Sequence, residues 1–294
     1  MRKLRPMTST TTSTTISVDP TNTAQAQAWD GREGDYWAAN ADSFEQSLAR
    51  YDAALFAAAA IRPGDHVLDV GCGTGSTTRE AARQAGHGTA TGVDLSAAMI
   101  TFARAAAVGT GVGNACFLHA DAQVYPFPTA AFDVVVSRTG AMFFGDPAAA
   151  FANLARATRP GGRLVLLVWQ AFERNSWIVR ISTALAAGRE PPSPPEGAPG
   201  PFAFADPNRL RGLLTRAGYT RVEVADVREP LNFGSDPDTA RALLSGLLHW
   251  MVADLDPPTR TRALAALHAA LAAHHTPRGV ELDSAAWLVT ATRR

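Results

Sequence analysis

Short apolar runs separated by helical stretches organise the middle of the chain. Val67, Leu68 and Val70 make the first run; others follow at 89–94, 116–122, 131–137 and 159–168. Continuous apolar runs of this length suit strands covered on both faces. Strands that alternate with helices imply parallel pairing through right-handed crossovers. Asp146-Pro147 and Asp206-Pro207 mark two helix starts, each an N-cap followed by proline in the first turn. The first of these helices ends at the Arg159-Pro160 break. Tyr219 to Val227 reads as a sixth strand and Ala286 to Arg293 as a seventh. The expected fold class is α/β, a doubly wound and mostly parallel sheet.

The flanks read differently. Residues 1–24 form a low-complexity tail, almost all hydroxyl residues from Thr8 to Ser17, which is expected to lack fixed structure. Residues 25–61 are a helical cap, with Trp29, Tyr36, Trp37, Phe44, Leu48, Tyr51, Leu55 and Phe56 at near-helical intervals. Residues 62–228 form the ligand-binding domain. Within it, 172–185 looks helical, and the proline-rich run 190–201 looks exposed and extended. Residues 229–283 are an insertion carrying two helices, about 237–254 and 258–275, that act as a lid. Residues 284–294 return as the last strand of the core.

The candidate chemistry begins at the end of the first strand, where Asp69-Val-Gly-Cys-Gly-Thr-Gly75 makes a glycine turn before a helix from about Ser76. Gly71, Gly73 and Gly75 let the chain turn sharply and let a ligand touch backbone. The helix start offers unpaired N–H groups to that ligand. A dinucleotide fingerprint needs a third glycine three residues after the second, and Ser76 stands there instead. Asp69 at the strand tip would repel a pyrophosphate and suits a ligand carrying an ammonium and a sulfonium. The better reading of the turn is therefore S-adenosylmethionine, and it rests on what the later strands supply.

Later strands supply the rest of such a site. Asp94 ends the second strand, where a carboxylate can accept both hydroxyls of a ribose. Leu95 and Met99 follow on the next helix and can floor an adenine. Asp121, just past the third strand, can take the adenine amino group, with Ala122 beside it and His119 in support. Ser137 and Arg138 end the fourth strand.

The words VLDVGCGTG, TGVDLSAAM, ADAQVYPFP, FDVVVSR and RPGGRLVLLVW, in that order over roughly residues 60–170, resemble the class I S-adenosylmethionine-dependent methyltransferases. The nearest group is the type 11 methyltransferases related to ubiquinone/menaquinone C-methyltransferases. The resemblance implies a Rossmann-like sheet with its seventh strand antiparallel, and a cap folded over the cleft. It assigns Gly71 and Gly73 to the methionine end; Asp69 and Cys72 are further candidates for touching the cofactor there. Asp94 goes to the ribose, Asp121 and Ala122 to the adenine, and Ser137 to the sulfonium side. Tyr36 and Trp37 are the cap residues expected to touch ligand. S-adenosyl-L-homocysteine would be the product.

Composition narrows the partners. Net charge is zero, which gives no electrostatic case for nucleic acid or an anionic membrane. Lysine occurs once, at Lys3, while arginine is abundant, the bias of a GC-rich coding sequence rather than a phosphate-binding adaptation. The two cysteines are too few for a disulfide framework and suit a reducing cytoplasm. No apolar run has the length of a membrane span, and no apolar stretch follows the charged start, so export is not expected. No His, Asp and Glu cluster has metal-ligand spacing, so no metal is expected.

The acceptor is expected above residues 137–142, at the carboxyl ends of the strands. Met142, Phe143, Phe144, Trp169, Phe172, Trp177, Trp250 and Met251 are candidates for its walls, a lining that suits a small apolar or aromatic metabolite. His249 is the candidate base, since histidine titrates near neutral pH; a half-exposed helix histidine is the plainer alternative. Arg138 can orient an acidic acceptor or can pair with a nearby acid. Two other functions stay open: a cyclase or other non-methylating relative that keeps the nucleoside, and, less favoured, a nicotinamide oxidoreductase.

Overall fold

A computed structural model describes residues 16–190 and 197–294. The start of the tail and residues 191–196 of the proline-rich run lie outside the described residues. Residues 16–24, read above as tail, are ordered. Asp19 caps a 3-10 turn, Pro20–Asn22, through its carboxylate, and helix α1 (Thr23–Trp29) follows at once. Three more helices complete the N-terminal segment: α2 (Arg32–Ala39), α3 (Ala41–Leu48) and α4 (Asp52–Ala59).

The core then runs β1 (His66–Val70), α5 (Ser76–Ala85), β2 (Thr89–Asp94), α6 (Ala97–Gly109), β3 (Ala115–His119), β4 (Phe132–Arg138), α7 (Pro147–Ala157) and β5 (Thr158–Trp169). After it come α8 (Ser176–Ala186), α9 (Pro207–Arg216) and β6 (Tyr219–Val227). The remaining elements are β7 (Pro230–Asn232), α10 (Pro237–Leu247), α11 (Pro257–Ala272), β8 (His275–Thr276), β9 (Gly279–Asp283) and β10 (Ala286–Arg293).

The main sheet has seven strands in the order β3-β2-β1-β4-β5-β10-β6. Strands β1 to β5 pair in parallel, and β10 runs antiparallel to both neighbours. This is the Rossmann-like arrangement expected from the sequence. The antiparallel strand is not the edge; it lies between β5 and β6. Val134, Val135 and Leu164 through Val168 are buried, as continuous apolar runs require of strands covered on both faces. One hydrophobic core takes in the cap (Phe44, Tyr51, Leu55), the sheet and the lid (Leu244, Leu267, Leu271).

Four helices start with the same device. Asp146, Asp206, Asp236 and Asp256 each accept hydrogen bonds from first-turn N–H groups, with proline at the next position. Such caps contribute about 1 kcal/mol each. The lid departs from expectation in two ways. Its first helix ends at Leu247 and passes into a 3-10 turn, His249–Met251. A second sheet, β7-β9-β8, joins the lid, its strands too short to show alternation in sequence.

The turn after β1 depends on glycine. Gly71 has φ +66°, and a Cβ there would lie 2.7 Å from Gly140 Cα. The left-handed backbone costs a residue with a side chain roughly 1–2 kcal/mol before any overlap is counted. Gly71→Ala is therefore expected to lower stability by about 2 kcal/mol, read as a drop in the urea midpoint at unchanged slope.

Candidate functional site

Strands β1, β2, β3 and β4 end side by side, so the residues at their tips converge although they are far apart in sequence. Gly71 and Cys72 donate their N–H groups to Val93 O, at 2.9 and 3.1 Å, which ties the glycine turn to the tip of β2. Asp94 closes the same corner. Its carboxylate accepts from Gly73 N at 2.8 Å and Ser96 N at 2.9 Å. Burial pushes the Asp94 carboxyl up, against the hydrogen bonds from Ser96 and Gly73. Met99 is buried with its sulfur beside Gly73, and Leu95 is half-buried just before α6.

Asp69 lies beneath the turn and is 1% exposed. One oxygen accepts from Thr78 Oγ1 at 2.6 Å, and Oδ1 has no partner among the described residues. Burial dominates and pushes this carboxyl up to about 7, with Thr78 and Arg138 opposing and Asp94 and Glu45 adding to the rise. A buried carboxylate oxygen without a donor is costly. A cation at this corner would relieve it.

The cap brings a carboxylate that no motif announces. Glu45, on α3, accepts from Thr74 Oγ1 at 2.8 Å and from Ser76 Oγ at the start of α5. Arg138 binds Glu45, binds Asp52 at 2.8 Å and donates to Ser76 Oγ at 2.9 Å. Burial raises the Glu45 carboxyl, but the Arg138 charge and the bonds from Ser76, Arg138 and Thr74 outweigh it and hold the group below its ordinary value. Burial alone would lower the Arg138 guanidinium, yet Glu45 and Asp52 hold it above its usual range. An ionised acid thus sits at the N-terminus of α5, where a phosphate would otherwise dock.

Asp121 meets the 3-10 turn near the start of the described residues. Its Oδ2 accepts from Asp19 N at 3.0 Å, and Oδ1 accepts from Asn22 Nδ2 at 3.0 Å and Gln123 N at 2.9 Å. Ala122 is buried beside it. His119 shares Nε2 with Leu95 O at 2.8 Å, next to Asp30.

The structure places several of the expected site residues in bonds or packing of their own. Arg138 takes the second of its two expected uses, pairing with acids: its guanidinium binds Glu45, Asp52 and Ser76. Ser137 Oγ donates to Val70 O at 2.7 Å and accepts from Ala141 N at 3.0 Å, so it pins β4 to β1 and its proton is already used. Tyr36 reaches away from the turn and donates to Leu243 O at 2.9 Å, fastening cap to lid. Trp37 stacks on Phe44, ring centroids 3.9 Å apart. Trp250 is 55% exposed. His249 is half-buried in the 3-10 turn, not on an α-helix, and makes no side-chain hydrogen bond among the described residues.

The other aromatic candidates do converge. Trp169 lies 6.0 Å from Trp177, which lies 5.9 Å from Phe233, with Tyr51 at 5.7 Å from Trp169 (ring centroids). Met142 is buried and its sulfur accepts from Trp169 N at 3.2 Å. Phe143 packs edge-on against Trp29 of the cap. No group of three or more metal-ligating side chains occurs among the described residues.

Comparison with known proteins agrees with this geometry. A methyltransferase domain profile matches residues 67–162, from β1 into β5. The chain is 32% identical over 213 residues to an uncharacterised protein of Mycobacterium tuberculosis, covering 71% of each chain. The chain belongs to the class I S-adenosylmethionine-dependent methyltransferases. It is also 32% identical over 176 residues to the ubiquinone/menaquinone biosynthesis C-methyltransferase of Ralstonia pickettii, 57% of this chain and 72% of that one. Solved structures share the methyltransferase fold. A putative methyltransferase from Bacillus halodurans superposes with TM-score 0.55 at 19% identity, covering 82% of this chain and 98% of that one. The [4+2]-cyclase SpnF superposes with TM-score 0.51 at 22% identity, covering 83% and 80%.

Proposed function

We propose that this methyltransferase binds S-adenosylmethionine at the acid-rimmed glycine turn and methylates a small, apolar or aromatic metabolite by in-line transfer. The observation that carries the reading is the unpartnered, buried Oδ1 of Asp69 beneath a turn ringed by Asp94 and Glu45. The fit is chemical. Glu45 and Asp52 bind Arg138, Asp69 lies in its field, Arg79 donates to Thr74 O of the turn, and Asp94 closes the next corner, so acids outnumber bases here and favour a ligand with ammonium and sulfonium charge. The same surplus opposes a dinucleotide pyrophosphate, which weighs against an oxidoreductase.

In this reading Asp69, with the backbone of Gly71, Cys72 and Gly73, holds the methionine end. Asp94 takes the ribose hydroxyls, Leu95 and Met99 pack the base, and Asp121 and Ala122 take its edge. Bound there, the cofactor supplies a methyl carbon already activated for displacement. The protein then needs to align the acceptor and keep water out. Met142, Trp169 and Trp177, with Phe143 on the cap side, give an apolar floor for that acceptor. Trp29 and Phe44 of the cap cover it, and Tyr36 fastens the cap to the lid. His249 is the remaining candidate base at the rim.

Transfer of a labelled methyl group from S-adenosylmethionine to a panel of aromatic and apolar acceptors tests the reading. Label in at least one organic product supports it. Tight cofactor binding with turnover of an acceptor and no label would instead place the chain with the cyclases, and no cofactor binding would refute the reading altogether.

Asp69 adds a pH dependence. A carboxyl raised to about 7 is largely protonated below that pH, and a cationic ligand binds its ionised form. Cofactor affinity is expected to rise up to tenfold per unit as pH climbs from 5.5 to 7, and to level off above. Asp69→Asn should weaken binding at pH 8 and flatten the profile. The same shift works against folding stability. The folded state holds the proton that the unfolded chain releases near pH 4, so this residue's contribution falls between about 4 and 7.

A further inference from the structure

The strap Asp19–Asn22 touches the same carboxylate that is assigned to adenine, and the two uses must be reconciled. A carboxylate has about four acceptor sites, two on each oxygen. Asp121 Oδ1 uses both of its sites, for Asn22 Nδ2 and Gln123 N. Oδ2 uses one, for Asp19 N. One site is left, on Oδ2. The strap therefore does not fill Asp121; it fixes the plane of the carboxylate and leaves a single direction for one further N–H donor.

Asn22 is the centre of this arrangement. It is 2% exposed, and its amide is used at both ends: Nδ2 donates to Asp121, and Oδ1 accepts from Gly145 N at 3.1 Å. These bonds also settle which end of the amide is oxygen. Gln123, also buried, repeats the pattern. Its Nε2 donates to Thr21 Oγ1 at 2.9 Å, and its Oε1 accepts from Asp146 N at 2.9 Å. The loops after β3 and β4 are thus stitched to the strap from both sides. Gly145 permits the approach, since a Cβ there would lie 2.1 Å from Thr21 O.

We infer that Asn22 is a positioning residue for the nucleoside base, and that the strap makes Asp121 selective for an amino group over an oxo group. This rests on the cofactor reading above and adds a specificity determinant to it. An oxo group on the base presents lone pairs to a carboxylate whose orientation is locked and whose only remaining capacity is to accept. With Asn22 removed, Asp121 can rotate and draw in water, and the penalty against an oxo group shrinks.

The test uses the full chain and compares S-adenosylhomocysteine with S-inosylhomocysteine, which differs at the base amino position, by isothermal titration. Wild type is expected to favour the adenosyl compound by at least 30-fold. Asn22→Ala is expected to lose tenfold in adenosyl affinity and to cut the preference to below fivefold. Asp19→Pro is a milder second variant. Asp19 has φ −64° and ψ 139°, which proline adopts, so the backbone can keep its course while the change removes the N–H donor to Asp121 together with the carboxylate that caps the 3-10 turn. It should lower the preference less than Asn22→Ala does. A loss of stability alone would not move the ratio of the two ligands, so the ratio separates positioning from folding. Hydrogen exchange of residues 18–24 should slow when S-adenosylhomocysteine binds. The inference is overturned if both variants keep the wild-type ratio, if either binds the adenosyl compound more tightly, or if exchange in the strap speeds up on binding. Failure of folded wild type to bind either compound would sink the cofactor reading itself, and this inference with it.

Discussion

Arg138→Met is expected to destabilise the protein by roughly 3 kcal/mol and to loosen the cap. The guanidinium side chain is 7% exposed and neutralises Glu45 and Asp52 together. Removing one member of a buried pair leaves an uncompensated charge, at a cost of about 3–5 kcal/mol. The low end applies because Asp52 keeps 34% of its side chain exposed and water screens part of its charge. Thermal unfolding should show a fall of about 5 °C for a chain of this size, taking about 2.1 cal/mol/K of unfolding entropy per residue. Adding Glu45→Gln to Arg138→Met removes one of the stranded charges and should recover part of the loss. A drop below 1 kcal/mol in the single variant would mean that the acids find solvent without moving the cap.

Asp94→Ala is expected to weaken S-adenosylmethionine binding by about 1.5–3 kcal/mol, the range for a hydrogen bond to a charged group, or roughly tenfold to 150-fold. Asp94 acts twice. It accepts from Gly73 N and Ser96 N, which shapes the turn and the start of α6, and in the cofactor reading it also accepts from the ribose. Asp94→Asn keeps one carbonyl oxygen and should fall between wild type and Asp94→Ala. Titration of the three proteins with the cofactor checks the order. An unchanged dissociation constant in Asp94→Ala contradicts the ribose assignment.

What the sequence could announce was whatever local pattern determines. Apolar runs placed β6 and β10 at their observed limits, Tyr219–Val227 and Ala286–Arg293. Asp-Pro pairs placed the starts of α7 and α9. The glycine turn and the acids at the tips of β1 and β2 were legible because each sits at a fixed offset from its own strand. Glu45, Asp52, Asp19 and Asn22 were not legible. Their partners lie tens of residues away, and a lone acid or amide in a helical segment carries no signal of what it will meet. Ser137 and Arg138 were read as site groups from position alone, and only the packing of β4 against β1 and the cap shows their hydrogen bonds already spent. The lid misled for a related reason. Gly246 lies one residue inside the end of α10, and apolar residues at helical spacing run on past it, so His249 and Trp250 were placed on a helix that stops at Leu247, and the face they present followed from that placement.

These features share one cause. The cap is not a loose cover; it carries Glu45 to the start of α5, Asn22 to Asp121 and Tyr36 to the lid. Sequence motifs in the core mark where a nucleoside would lie, and in the proposed reading the N-terminal segment sets how closely that place is held.

A crystal structure of the complex with S-adenosylhomocysteine tests the central claim most directly. The account predicts density for the amino-acid end against the glycine turn within hydrogen-bonding reach of Asp69 or its immediate water. The ribose should lie on Asp94 and the base amino group on Asp121 Oδ2, with Asn22 still in place. Density elsewhere, or a turn closed by Glu45 with no nucleoside beside it at saturating ligand, would contradict it.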